Sequence, residues 1–160
     1  MLSKIKSAKK VTSAGVPMVI ANGLKPNILI KLFAGSKRGT YFVPSAHRLA
    51  SRKCWIAYSL KPQGTITIDD GAAAAILKKG KSLLPSGIVS VDDDFGVGAS
   101  VEFKNLNDDI LGTGLVNYSA VEIRQIKGLK SNQIKDVLGH KSYDEVIHRD
   151  NLALFDGFGV

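Results

Sequence analysis

The apolar positions change period along the chain, and each change marks an element. Ile5, Ala8 and Val11 recur at every third residue, with Lys4, Lys6, Lys9 and Lys10 covering much of the remaining surface. This spacing predicts a partly amphipathic helix that stops near Ala14-Gly15. Val16 to Ala21 is apolar and partly β-branched, as in a short buried strand. Asn22-Gly23 turns the chain, Pro26 starts a second short helix over 27–33, and Gly35 ends it. A further strand over 39–43 closes this part. Such a unit leaves a sheet edge and a helix face bare, whereas a parallel sheet carries layers on both faces. Residues 1–43 therefore read as the last unit of a larger doubly wound α/β sheet, not as a domain.

Residues 44–53 read as a polar, basic connection, and the apolar, aromatic run Cys54 to Tyr58 as a strand. Gly64-Thr-Ile-Thr-Ile68 alternates with period two and places Ile66 and Ile68 on one face. In DDGAAAAILKKG, Asp69 or Asp70 can cap a helix that four alanines favour and Gly80 closes. Residues 82–87 form a loop through Pro85. Strands follow over 88–91, 101–103 and 110–116, with turns at Asp92-Asp93-Asp94 and Asn107-Asp108-Asp109. Ser119 with Glu122 is a capping box that opens a helix through Ile126, and Ser142 with Glu145 repeats the pattern before a short turn. Residues 133–138 form another short helix ended by Gly139, and 152–155 a last apolar strand. Short strands with frequent glycine turns suggest a small, partly closed β barrel decorated by helices. The expected fold class is mixed α/β, divided into residues 1–47 and a compact domain over 48–160.

Composition changes this picture in one respect. The net charge of +8 is unevenly divided: residues 1–68 carry twelve Lys or Arg and no Asp or Glu, and residues 69–160 carry ten basic and fourteen acidic residues. Either the first half meets a polyanion, or it is a piece whose acidic complement lies elsewhere. The single cysteine, Cys54, excludes an internal disulfide and a thiolate metal cluster, and reads as a space-filling residue. The opening lacks the long apolar run of a secretory signal, and no stretch is long and apolar enough to span a bilayer. A soluble protein of the cytoplasm, with no membrane partner, is the expectation.

Several groups invite a chemical reading. Asp92-Asp93-Asp94 does not match a calcium-loop spacing and fits a solvated turn better. Asp69 and Asp70 fit helix capping better than an acid pair. His148-Arg149-Asp150 lacks a nucleophile at a recognisable elbow and any metal spacing with His140 or His47, so it reads as structural. There, Arg149 and Asp150 form an ion pair or pin the last strand. Lys4, just inside a helix N-terminus, is placed to meet phosphate. The solvated face of a helix accounts for it equally well.

Two long runs, RKCWIAYSLKPQGTITIDDGAAAAILKKGKSLLPSGIVSV and LGHKSYDEVIHRDNLALF, together with the opening MLSKIKSAKKVTSAGVPMVIANG, resemble the glutamate 5-kinase family over nearly the whole chain. The second segment looks like that family's PUA domain, a small pseudo-barrel also found in RNA-modifying enzymes, and the first like the end of its amino acid kinase domain. The family carries there a glycine-rich run ending in Met, a variable residue, Thr and Lys. Met1, Leu2, Ser3 and Lys4 match the end of that run, with Ser3 keeping the hydroxyl and the glycines absent. The resemblance implies ATP-dependent, Mg²⁺-requiring phosphorylation of L-glutamate on the way to proline, by an enzyme expected to be oligomeric. It also implies that Met1 to Lys4 serve the ATP phosphates. On this reading the opening helix belongs to a kinase domain whose remainder is elsewhere, so the chain alone is expected to be inactive and to bind no cofactor. The alternative is a PUA-type RNA-binding or regulatory module. Residues 48–160 balance fourteen basic against fourteen acidic residues, which leaves only Arg48, Arg52, Lys53 and Lys61 as an RNA footing.

Overall fold

The computed structural model describes residues 1–44 and 51–155. Contacts divide the chain between Cys54 and Trp55 into two compact units.

The first unit opens with α1 (Leu2–Ser13), which buries Ala8 and Ser13. Ile5, at the head of the expected apolar stripe, is 47% exposed, so the inward face begins one turn later than the spacing suggests. Thr12 Oγ1 donates back to the Ala8 carbonyl at 2.8 Å, which satisfies a hydroxyl on that half-buried face. β1 (Met18–Ile20) and β2 (Thr40–Phe42) pair antiparallel, Val19 opposite Tyr41. Between them α2 (Ile28–Phe33) buries none of its residues, and Leu29, Ile30 and Phe33 are all exposed. Cys54 is half-buried, with Sγ 3.9 Å from the Lys10 carbonyl oxygen.

Cys54 to Tyr58 is not a strand. It lies within a helix, α3 (Ser51–Ser59). Arg52, Trp55 and Ser59 are exposed and Ile56 is fully buried, which is a helical period. Aromatic and β-branched residues raise strand propensity, but a short apolar run does not separate strand from helix, and packing decides.

The second unit is built on a five-stranded sheet of β3 (Thr65–Ile68), β4 (Ile88–Asp92), β5 (Ser100–Lys104), β6 (Ile110–Leu115) and β7 (Leu152–Leu154). The strand order is β4-β3-β5-β6-β7. β3 runs parallel to β5, Ile66 opposite Phe103, and every other pairing is antiparallel. Ile66, Ile68, Val101 and Phe103 are completely buried, as the period-two pattern requires. The sheet is open: β4 and β7 stand at opposite ends, and no pairing joins them among the described residues. The expected barrel is corrected in this respect. The helices cover the core instead, with Ile76, Ile123, Ile126 and Ile134 buried in one cluster with the strands.

Local chemistry places those helices. In α4 (Asp70–Lys79), the Asp69 carboxylate accepts from the Ala72 amide at 2.6 Å. Its C-terminus closes on Gly80 in the left-handed region (φ 57°), with Gly80 N–H to Ile76 and Lys81 N–H to Ala75. α5 (Ala120–Ile126) carries the Ser119–Glu122 capping box. α6 (Ile134–Leu138) ends on Gly139 at φ 77°. Leu83 and Ile147, both fully buried, form an isolated antiparallel bridge that ties the chain after α4 to the chain before β7. No signal in the local pattern announces this bridge.

Candidate functional site

The residues expected to meet phosphate lie at the start of α1. Met1 is the N-cap residue, and no side chain caps the helix. The Met1 carbonyl accepts from the Lys4 and Ile5 amides at 3.1 and 3.3 Å. The first turn holds no acidic residue, and Met1, Leu2, Ser3 and Lys4 are all exposed. An uncapped, acid-free helix start beside a lysine ammonium is suited to an anion.

Of the four residues expected to offer an RNA footing, Arg48 lies outside the described residues. Arg52 and Lys53 are neighbours on α3 in the first unit, and Lys61 is an exposed residue of the second.

A cleft of about 650 Å³ opens in the second unit. One wall is the first half of α4, with Gly71, Ala72 and Ala75 presenting little but small apolar surface. Gly87 and Leu84 continue that wall from the loop between α4 and β4. Gly87 is required here, because a Cβ would collide with the Ala72 Cβ. Lys81 and Ser82 reach the cleft from the chain after α4, and Glu145, His148 and Arg149 from the segment before β7. The Leu83–Ile147 bridge brings these two segments together, and the Arg149 amide donates to Ser82 Oγ at 3.0 Å. The guanidinium of Arg149, the ammonium of Lys81 and the carboxylate of Glu145 have no side-chain partner among the described residues.

His148-Arg149-Asp150 is thus partly structural. His148 Nδ1 accepts from the Asp150 amide at 3.2 Å and lies 3.5 Å from the Asp150 carboxylate, capping a 3-10 turn that leads into β7. Arg149 and Asp150 form no ion pair, and the pin to the neighbouring segment is the Arg149 main chain. The sequence singles out Arg149 but does not associate it with Lys81 or Glu145, because the bridge that unites them spans 64 positions.

Asp92-Asp93-Asp94 forms a turn, with Asp93 at φ 66°. Arg124 holds it, pairing with Asp94 at 2.6 Å and donating to the Asp93 and Val91 carbonyls. Among the described residues no group of three His, Cys, Asp or Glu side chains is placed to hold a metal ion. Nor is any helix of the described residues long and apolar enough to cross a membrane. At α5 the Ser119 hydroxyl and amide hold the Glu122 carboxyl below its ordinary value, the hydroxyl contributing most. Partial burial opposes them, and His140, with Nε2 at 3.1 Å, adds to the lowering.

Residues 64–138 match the PUA domain family. Over 154 residues, 96% of its length, the chain is 53% identical to a glutamate 5-kinase of Syntrophus aciditrophicus and covers 40% of that protein. It is 47% identical over 156 residues to the glutamate 5-kinase of Thermoanaerobacter pseudethanolicus, covering 98% of this chain and 42% of the relative. The chain thus spans about two fifths of the length of the curated relatives it matches. Among solved structures, a conserved PUA domain protein from Thermoplasma acidophilum aligns with a TM-score of 0.42 and 19% identity, over 73% of this chain and 69% of that one. A PUA domain from Aeropyrum pernix aligns with a TM-score of 0.41 and 19% identity, over 61% of this chain and 48% of that one. Over nearly its whole length this chain is similar to glutamate 5-kinases, with a PUA domain match inside its second unit, and the resemblance read from the sequence is thereby shown.

Proposed function

We propose that this chain is part of a glutamate 5-kinase, which transfers the γ-phosphoryl group of ATP to the γ-carboxylate of L-glutamate and so forms glutamyl 5-phosphate in proline biosynthesis. The observation that carries this reading is 53% identity sustained over 154 residues, through both units and not in one motif. In this reading residues 1–47 end a doubly wound amino acid kinase domain, and residues 48–160 form the PUA-like domain that follows it. The bare apolar surface of α2, with Phe33 93% exposed, supports a first unit that packs against more of such a sheet.

The start of α1 fits the ATP phosphates. Its uncapped, acid-free first turn supports this reading, in which the Lys4 ammonium offsets charge on the transferring phosphoryl group. Mg²⁺, bound with the nucleotide, would supply further neutralisation of the phosphate oxygens. Residues 1–68 hold no Asp or Glu, so the first unit offers no carboxylate to ligate it. The enzyme acts in the cytoplasm as an oligomer. The second unit serves it as a regulatory or binding module, with RNA contact through Arg48, Arg52, Lys53 and Lys61 as the weaker reading.

The test is ATP- and glutamate-dependent release of ADP, measured for this chain alone and for the product of the same reading frame extended upstream. Activity of the extended protein only is the expected result. Turnover by the chain alone would remove the reading of an incomplete site, and an inactive extended protein would remove the kinase assignment.

A further inference from the structure

We infer that the small cavity beside the end of β1 and the start of β2 binds a doubly charged oxyanion of the phosphate class, held by Lys25 and Arg38. The cavity, about 250 Å³, is lined by Ala21, Asn22, Lys25, Ile28, Arg38 and Gly39. Its charged lining residues are both cations, and residues 1–68 contain no Asp or Glu to balance them. Neither cation has a side-chain partner among the described residues. Asn22 Oδ1 accepts from the Leu24 amide at 3.0 Å, which leaves the Asn22 Nδ2 as a third free donor among the described residues. The three groups stand close together. The pairing of Ile20 with Thr40 runs on to Ala21 and Gly39, where a Cβ on Gly39 would meet the Ala21 Cβ at 3.1 Å and strike the Ile20 carbonyl. Glycine at 39 thus permits an approach that puts Arg38 opposite Asn22, about 5 Å away for facing residues of an antiparallel pair. From the other side, the Asn22 carbonyl accepts from the Lys25 amide at 3.3 Å, a turn that keeps their Cα atoms within about 7 Å. Lys25 and Arg38 therefore flank Asn22 and share one cavity.

Two uncompensated cations call for two negative charges. A phosphate group carries about −1.5 to −2 at pH 7, with three strong acceptor oxygens. Those oxygens suit the paired donors of a guanidinium, the point charge of an ammonium and a carboxamide N–H. A single carboxylate would leave one cation unmatched. The volume lies below the roughly 300–1,000 Å³ of pockets that enclose drug-sized ligands, so the cavity takes the phosphate group itself and leaves any ester substituent in solvent. None of Met1 to Lys4 lines the cavity, so this position is additional to the one proposed at the start of α1. The inference does not rest on the proposed kinase reaction, since it uses only charges and geometry of the first unit and its test involves no turnover.

The experiment is titration of inorganic phosphate into this chain at low salt, read from amide shifts in nitrogen–proton correlation spectra, with glycerol phosphate and acetate as comparison probes. Saturable shifts at Asn22, Lys25, Arg38 and Gly39 are expected. Acetate, with one charge, should bind about tenfold more weakly or worse, as loss of a charge-assisted hydrogen bond predicts. Lys25→Met and Arg38→Gln should each weaken phosphate by the same factor. Lys37→Met removes an equal charge next to Arg38 but outside the cavity, and should change the affinity by less than about twofold. Lys25 and Arg38 are exposed, and the bonds from their amides to the Asn22 and Ser36 carbonyls survive substitution, so the spectrum should stay dispersed. Should one variant lose that dispersion, the other provides the same reading. Glycerol phosphate binding as tightly as phosphate would assign the site to the end of an ester, and phosphate binding alone to the free anion, and both results uphold it. Shifts confined to the first turn of α1, absence of saturation, equal affinity for acetate, or an equal loss with Lys37→Met would each overturn the inference.

Discussion

Single side chains bear on two separable matters, acid stability and the phosphate contact proposed for Lys4. Glu122 is held in its ionised form by the Ser119 hydroxyl first, then by the Ser119 amide and by His140, against the cost of partial burial. Its folded-state pKa lies below the ordinary 4.5, so its contribution is fully present above that value and is lost as the pH falls through the lowered one. Ser119→Ala should therefore destabilise the second unit by about 1 kcal/mol at pH 7, the usual worth of a cap. Urea unfolding should show the gap between the parent and Glu122→Gln narrowing as the pH is taken below 4.5. A gap constant from pH 7 to pH 3 would mean that the carboxylate charge plays no part in the cap. Lys4 belongs to the other class. Its side chain is exposed at an uncapped helix start, so Lys4→Ala in the extended kinase should leave unfolding unchanged and lower kcat/KM by roughly 10²-fold, the scale of one lost electrostatic stabiliser. Unchanged kinetics would return Lys4 to a solvated helix face.

At the scale of elements, the second unit depends on close approach between strands. Gly112 sits on β6 opposite Leu154 of β7 and Phe103 of β5. A Cβ there would meet the Ala153 carbonyl and, at 2.8 Å, the Phe103 ring. Neither neighbour can withdraw, since one is ladder backbone and the other is fully buried. Gly112→Ala should cost about 1–3 kcal/mol, the range for overpacking a filled core. Thermal unfolding measures this, and a melting temperature equal to that of the parent would show that β7 is free to move outward. The opposite end strand, β4, is guarded chemically. The Val91 carbonyl accepts from Arg124 at 3.4 Å and the Val89 carbonyl from Lys127 at 3.4 Å, which engages main-chain acceptors of a strand that has one sheet neighbour.

At the scale of the molecule, the two units differ in how much they bury. Among the described residues every buried apolar side chain but Ala8 belongs to the second, whereas Leu24, Leu29, Ile30 and Phe33 of the first are exposed. Few buried apolar contacts mean low local stability. Hydrogen exchange on a dilute sample should find the amides of β1, β2 and α2 weakly protected and those of Ile66, Ile68, Val101 and Phe103 strongly protected. Equal protection in both units of a monomer would contradict the assignment of the first unit as part of a larger sheet. Protection that rises with concentration would show its apolar surface meeting another copy.

The elements whose determinants lie within a turn of one another were legible in the sequence. The Ser119–Glu122 box and the glycine stops at 80 and 139 close over three or four positions, a cap at Asp69 or Asp70 was expected and Asp69 supplies it, and Ile66 and Ile68 follow from the pleat alone. What the tertiary structure decided lies at longer range: Ile56 inward on a helix instead of a strand, a sheet left open, β3 parallel to β5, and Lys81, Arg149 and Glu145 gathered around the Leu83–Ile147 bridge. Propensity and period report only the conformation that a segment prefers by itself. The choice of partner rests on packing between segments tens of residues apart, and since the entropy of closing such loops grows only slowly with their length, the chain pattern carries little trace of which closure occurs.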